Sequence, residues 1–248
     1  MLSIVRPATV EDLRAQKLFR DVPVKIVRKL LHKGGASLLQ LQPGTALRLR
    51  RGNIENIYII VVGYLEVRMD SQLLKKGKSF LLAFRGPEQI VGEMKAIAKE
   101  RGEAFIRAIE PCQLIEIPTE ALTHIAEMDW RIYRNIAALL IEKTYQERKR
   151  TEVIQMPEGE AQVAQTLLNF LDERGAETVN GGERQIKGNM RQRDVADYIG
   201  CDRTTVAKSL SKLKKRGIIE YPDQGRNIMH RLIVCDLSAL EKVARYRN

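Results

Sequence analysis

The most legible chemistry lies near the C-terminus, in Met190–Ile219, MRQRDVADYIGCDRTTVAKSLSKLKKRGII. Between Arg184 and Arg216 ten Lys and Arg stand against three Asp, a net of +7 in a chain whose formal charge is +11. Cations at that density suit a phosphate-rich partner, although a basic surface is often no more than solvated. The stretch reads as helix, turn, helix. Val195, Ala196 and Ile199 form an apolar face on the first helix. Gly200 falls where the chain must turn sharply, and Asp202 is the expected N-cap of the second helix. Val206, Leu210 and Leu213 then face the core, while Arg203, Thr204, Lys208, Ser211, Lys212 and Lys215 share the opposite face. Side chains near the N-terminus of such a helix reach base edges, and flanking Lys, Arg and hydroxyls hold phosphates. Thr205, with Arg191 and Gln192 at the start of the first helix, completes the DNA-facing set. Ile218–Tyr221, a turn over Pro222–Asn227 and Met229–Val234 predict a two-stranded wing, with Arg226 at its tip placed to touch phosphate.

Other chemistries find little support. Cys112, Cys201 and Cys235 are far apart in sequence, which is neither a disulfide framework nor a zinc or iron–sulfur ligand set. No nucleophile–base constellation or phosphate-binding glycine loop appears, and Glu93 with Glu103 is only a commonplace pair of acids. The expectation is a non-enzyme without cofactor or metal. No apolar run approaches the roughly 20 residues of a membrane helix, and the start of the chain lacks the apolar core of a signal peptide. The expected setting is a reducing cytoplasm, in association with the nucleoid.

The elements that must position the basic stretch follow from periodicity. Residues 9–33 read as short helices broken at Pro23. Residues 36–118 read as short strands punctuated by Pro43-Gly44, Gly63, Gly86-Pro87 and Gly92, an antiparallel barrel or sandwich. Ile57–Val62 is the longest apolar run. Thr119 is expected to cap a helix running to Met128. Asp129–Gln155 contains no Gly or Pro, and Ile132, Ile136, Leu139, Leu140, Thr144 and Tyr145 fall at helical spacing. At 1.5 Å per residue this helix is about 40 Å long, more than a small barrel covers, so a partner helix is expected along it. Met156-Pro157 ends it, and Glu158-Gly159 reads as a hinge. A helix over 159–174 and a hairpin turning at Asn180-Gly181-Gly182 lead into the basic stretch, and Leu237–Arg245 is a closing helix. The organisation is residues 1–128 as N-terminal helices and strand-rich domain, 129–156 as dimerisation helix and hinge, and 157–248 as winged helix-turn-helix.

In order and spacing the chain resembles the catabolite activator protein / fumarate–nitrate regulator (CRP/FNR) family, from about Leu18 to Ala244. The resemblance rests on Pro43-Gly44, Ile57-Tyr58-Ile59 with Gly63, LLAFRGPEQIVGEM (81–94), RAIEPCQLIEIP (107–118), VAQTLLNFL (163–171), QIKGNMRQRDVADYIGCDRTTVAKSLSKL (185–213) and IVCDLSAL. It implies an α+β chain with a cyclic-nucleotide-type β-roll (a jelly roll), a long dimerisation helix and a C-terminal winged helix-turn-helix. It also implies a homodimer on palindromic double-stranded DNA, acting on RNA polymerase. Arg203, Thr204 and Lys208 match the base-reading positions, with Arg203 suited to guanine N7 and O6. Thr204 stands where the family often has Glu, so the half-site is expected to differ at that base pair.

The effector side departs from the family. The Arg-Ser pair that holds a cyclic phosphate falls on Gly102 and Glu103, with Arg101 one residue early. Gly92-Glu93 matches the ribose position, and Glu147 and Arg148 replace the small hydroxyl residues that meet adenine. Cyclic AMP in the usual pose is therefore disfavoured. A cyclic dinucleotide, a protein partner, or no effector at all stay open, the last with Glu147, Arg148 and Glu103 in internal pairs. A cyclic-nucleotide module that does not bind DNA is the other alternative. No cysteine precedes Cys112, which disfavours the oxygen-sensing branch, and His32, His124 and His230 are too scattered to suggest a haem ligand.

Overall fold

The computed structural model describes residues 2–32, 35–48, 50–51, 54–70, 79–93, 103–157, 159–174, 176–179, 182–187, 190–222, 228–229 and 231–245. The described chain forms two compact units, Met1–Ser79 with Phe84–Thr144, and Tyr145–Asn248 with Phe80–Ala83.

The N-terminal unit is built on two antiparallel sheets. One runs β1 (Leu2–Pro7), β2 (Ser37–Leu41), β10 (Cys112–Pro118), β5 (Ile54–Val62), β4 (Arg50–Arg51), with β8 (Ile90–Val91) also on β5. The other runs β3 (Ala46–Arg48), β9 (Glu103–Ala108), β6 (Leu65–Asp70), β7 (Ser79–Arg85), and residues Phe80–Ala83 of β7 are counted with the C-terminal unit. Strand residues alternate faces, and β5 and β10 use both. Tyr58, Ile60 and Leu114 enter a core with Leu39, Leu47, Leu65 and Ile106. Ile57, Ile59, Ile115 and Ile117 enter another, with Leu13, Phe19, Val27, Leu30, Leu122 and Ile125 from the helices. A strand buried on both faces must be apolar, which accounts for Ile57–Ile60, with Val61 partly buried and Val62 exposed at the end of the run. The edge strand β1 pairs with β2 and has exposed Ile4 and Val5, so no alternation announces it in the sequence.

Helices over Val10–Arg14 and Val24–His32 flank Pro23 as expected. The helix Thr119–Met128 takes Pro118, not Thr119, as its N-cap. Thr119 lies inside the first turn, and its buried Oγ1 has no hydrogen-bond partner among the described residues. The long helix runs Trp130–Ile154. Here the expected seam is corrected. Ile132, Ile136 and Leu139 pack on the core of their own unit, with Leu140 partly buried against it. Each such aliphatic side chain contributes about 1.5–3 kcal/mol relative to exposure. The opposite side of the helix carries exposed Trp130, Tyr133, Ile141 and Tyr145.

The C-terminal unit contains the helix Glu160–Glu173, which buries Val163, Leu167 and Phe170, and a strand pair Ala176–Val179 with Glu183–Ile186. Gly175, Asn180 and Gly181 lie outside the described residues. The helix-turn-helix occupies Gln192–Ile199 and Arg203–Lys215, and Leu237–Arg245 closes the unit.

Candidate nucleic-acid interface and effector site

The helix-turn-helix is set by one backbone requirement and one apolar seam. Gly200 has φ +71°, a left-handed conformation that costs a residue with a Cβ about 1–2 kcal/mol, and its N–H donates to Ala196. Asp194 closes the other end of the first helix by accepting the Arg191 N–H at 3.2 Å. Val195, Ile199, Val206, Leu210 and Leu213 are buried as expected. Asp202 occupies the N-cap position in extended conformation, but its side chain makes no capping hydrogen bond, so the expected cap is positional only.

With that seam buried, Arg203, Thr204, Lys208, Ser211, Lys212 and Lys215 are exposed, Thr205 is half-buried, and Arg191 and Gln192 lie exposed and half-buried at the start of the first helix. The neighbouring cations differ in engagement. Arg216 pairs with Glu160, and Lys214 donates to the Tyr221 carbonyl at 2.7 Å while lying over the Tyr221 ring. Among the described residues no ion pair holds Arg203, Lys208, Lys212 or Lys215.

The wing is not the simple pair expected. Ile219–Glu220 pairs with Ile233–Val234, which also pairs with Glu183–Ile186, so these strands and Ala176–Val179 make one four-stranded sheet. Ile228–Met229 instead pairs with Met190–Arg191. Arg231, at φ +48°, breaks what was expected to be one strand over Met229–Val234. Arg226 and His230 lie outside the described residues.

Among the described residues, the expected effector positions Glu93 and Arg148 each carry an ion-pair partner from the chain itself. Glu93 is buried, and Lys143 of the long helix donates to its Oε1 at 2.6 Å. Lys143 itself is largely buried. Sequence reasoning missed this partner, and the signal available was a Lys beside Thr144 in the apolar-spaced series of the long helix. Gly92 adopts φ +96°, and a Cβ there would collide with the Asn56 carbonyl oxygen, so packing alone requires glycine. Arg148 pairs with Glu152 one turn on, at 3.0 Å and in solvent, and the Glu147 carbonyl accepts the Thr151 hydroxyl. Of the expected internal pairing through Glu147, Arg148 and Glu103, the described part is this local helical pair of Arg148. Arg101, Gly102 and the Glu103 side chain lie outside the description.

Burial, reinforced by Glu110, raises the Cys112 thiol to about 11, which leaves it protonated and inert. Among the described residues no three His, Cys, Asp or Glu gather as a metal-binding group, and no helix is long and apolar enough to cross a membrane.

Residues 161–243 match the Crp-like helix-turn-helix domain, and residues 38–129 match the cyclic nucleotide-binding domain. The chain belongs to the CRP/FNR family. Its members are transcription regulators that bind DNA through this helix-turn-helix. This CRP/FNR chain is 23% identical over 193 residues to the nitrogen fixation regulation protein FixK of Azorhizobium caulinodans, covering 76% of the chain and 71% of that protein. It is 21% identical to a CRP-like cAMP-activated global transcriptional regulator of Mycobacterium tuberculosis, over 77% of the chain and 79% of that protein. In fold it is similar to a CRP/FNR transcriptional regulator from Thermus thermophilus, with a TM-score of 0.66 at 18% identity, covering 85% of this chain and all of that one.

Proposed function

We propose that this CRP/FNR regulator binds a two-fold DNA site as a homodimer and does so without cyclic AMP in the family's usual pose. The observation that carries the DNA reading is the outward face of Arg203–Lys215, where Arg203, Lys208 and Lys212 are exposed and free of ion pairs among the described residues. Arg203, Thr204 and Lys208 read bases. Thr205, Ser211, Lys212, Arg191, Gln192 and, in the wing, Arg226 hold phosphates. RNA polymerase is the onward partner, and the protein acts on the nucleoid in the cytoplasm.

The dimer reading rests on the outer stripe of the long helix. Trp130 and Ile141 are 65% and 69% exposed, and together with exposed Tyr133 and Tyr145 they form a stripe of large apolar side chains of the kind that marks an interaction surface. Tyr145 also lines an open groove of about 1810 Å³ that meets Arg148 and Glu152. A second copy of the helix, packed in parallel, covers these residues.

The nucleotide-independent reading rests on Lys143. A carboxylate that meets ribose in a ligand-binding roll must be available to a hydroxyl, whereas Glu93 is buried and bonded to an ammonium of its own chain. Freeing it from that partner would leave a buried charge unpaired, at a cost of about 3–5 kcal/mol.

The test is fluorescence anisotropy of labelled duplexes with Arg203→Ala and Ile141→Asp variants, together with sedimentation. Arg203→Ala stays dimeric and loses discrimination at one base pair of each half-site. Ile141→Asp sediments as a monomer and loses affinity for the two-fold site. An Ile141→Asp protein that remains a dimer contradicts the placement of the interface.

A further inference from the structure

Arg150 stands in the last turns of the long helix and engages two segments remote from it in sequence. Its Nε donates to the carbonyl of Tyr198, 48 residues on, at 2.8 Å. Its Nη1 donates to the carbonyl of Leu82, 68 residues back, at 2.6 Å. Its guanidinium carbon also lies 4.8 Å from the centre of the Tyr198 ring. All three residues belong to the C-terminal unit.

These contacts are chemically well matched. Tyr198 is the penultimate residue of the first helix of the helix-turn-helix, where carbonyls lack intrahelical donors and carry the negative end of the helix dipole. Leu82 lies on the strand that ends its sheet, where one row of carbonyls is likewise unclaimed. A guanidinium offers directed donors in a rigid fork and a flat face for an aromatic ring, so one side chain serves both carbonyls and the ring. Tyr198 is itself fixed. Its hydroxyl donates to buried Glu173 at 2.9 Å, and its ring meets Phe170 edge-on at 4.9 Å.

The covalent route between the same elements is permissive by comparison. The long helix ends at Ile154, and Gly159 adopts φ +139°, a conformation few other residues accept, with open space around it. Lys149 with Asp172, and Gln162 with the Val153 carbonyl, tie the next helix, Glu160–Glu173, to the long helix. Arg150 reaches the helix-turn-helix itself.

We propose that Arg150 is a positioning residue for DNA recognition: it holds the first helix of the helix-turn-helix against the end of the long helix and so fixes where the reading helix points. The inference rests on the dimer reading above. In a two-fold complex the two reading helices must meet major grooves about one helical turn apart. Each added base pair moves a half-site by about 3.4 Å and turns it by about 35°. A clamped pair tolerates one spacing, and an unclamped pair tolerates several. The contribution of Arg150 is therefore to spacer selectivity, not to the choice of base.

The experiment measures affinity of purified full-length protein for duplexes bearing the selected half-sites at the preferred spacing and at spacings one base pair shorter and longer. Arg150→Met keeps the apolar stem and removes fork and charge. Arg150→Lys keeps charge near the ring but cannot serve both carbonyls. The native protein is expected to discriminate between spacings by about 100-fold, and Arg150→Met by less than about tenfold, with Arg150→Lys in between. Base preference within the half-site is expected to stay unchanged in both, with near-UV circular dichroism confirming the fold. If Arg150→Met does not fold, the Arg150→Lys comparison decides. Native spacing discrimination in a folded variant overturns the proposal. A native protein indifferent to spacing, or one that binds single half-sites as a monomer, overturns the two-fold reading and the inference with it.

Discussion

Lys143 and Glu93 form an ion pair at 2.6 Å with both side chains withdrawn from solvent, joining the long helix to the turn after β8. Within the family's frame this places a cation of the chain itself on the carboxylate that matches the ribose position. Lys143→Met leaves that carboxylate buried and unpaired and is expected to lower stability by about 3–5 kcal/mol, read as a drop in the urea midpoint. Lys143→Met/Glu93→Gln removes both charges and is expected to recover most of the loss. A single variant as stable as the native protein shows that the pair is open to water.

Thr204 is exposed in the first turn of Arg203–Lys215 and has no charge to offer a cytosine amino group. Binding selections with Thr204→Glu are expected to shift the consensus at one base pair per half-site. An unchanged consensus removes Thr204 from the base-reading positions.

Lys212 is exposed on the same helix and free of ion pairs among the described residues. Lys212→Ala is expected to weaken binding evenly across sequences and to reduce the slope of log affinity against log salt by about one. A loss confined to one sequence reassigns Lys212 to base reading.

Asp12 is held at about 2, below the usual carboxylate range, first by hydrogen bonds from Arg6 and then by those that the Thr9 N–H and hydroxyl donate to its carboxylate. Its depressed value means that the stabilisation is present above the unfolded pKa of about 4 and is lost as pH falls through about 2. Asp12→Asn is expected to flatten the acid limb of stability against pH over that window and to change nothing near neutrality beyond a constant offset. An acid limb identical to the native one shows that other carboxylates dominate it.

The sequence made legible what periodicity and backbone constraint encode. The apolar seam Val195–Leu213 and Gly200 placed the helix-turn-helix, and the absence of Gly and Pro placed the long helix within a residue at each end. What stayed hidden depends on which face meets which neighbour. Ile132, Ile136 and Leu139 have the spacing of a dimer seam yet pack within their own unit, while the sparser Trp130, Tyr133, Ile141 and Tyr145 are left outside. Edge strand β1 has no alternation because both of its central apolar residues, Ile4 and Val5, are exposed. The partners of Glu93 and Arg150 come from tens of residues away or from backbone carbonyls, and neither leaves a trace in local pattern.

The most direct test of a two-fold DNA regulator independent of cyclic AMP is a binding selection on a randomised duplex pool, made with purified nucleotide-free protein and repeated with added cyclic nucleotides. The nucleotide-free protein is expected to enrich a palindrome with half-sites about 10 base pairs apart, and cyclic AMP is expected to leave the enrichment unchanged. Enrichment that appears only with a cyclic nucleotide contradicts this, because Glu93 would then have to leave Lys143 to serve a ligand.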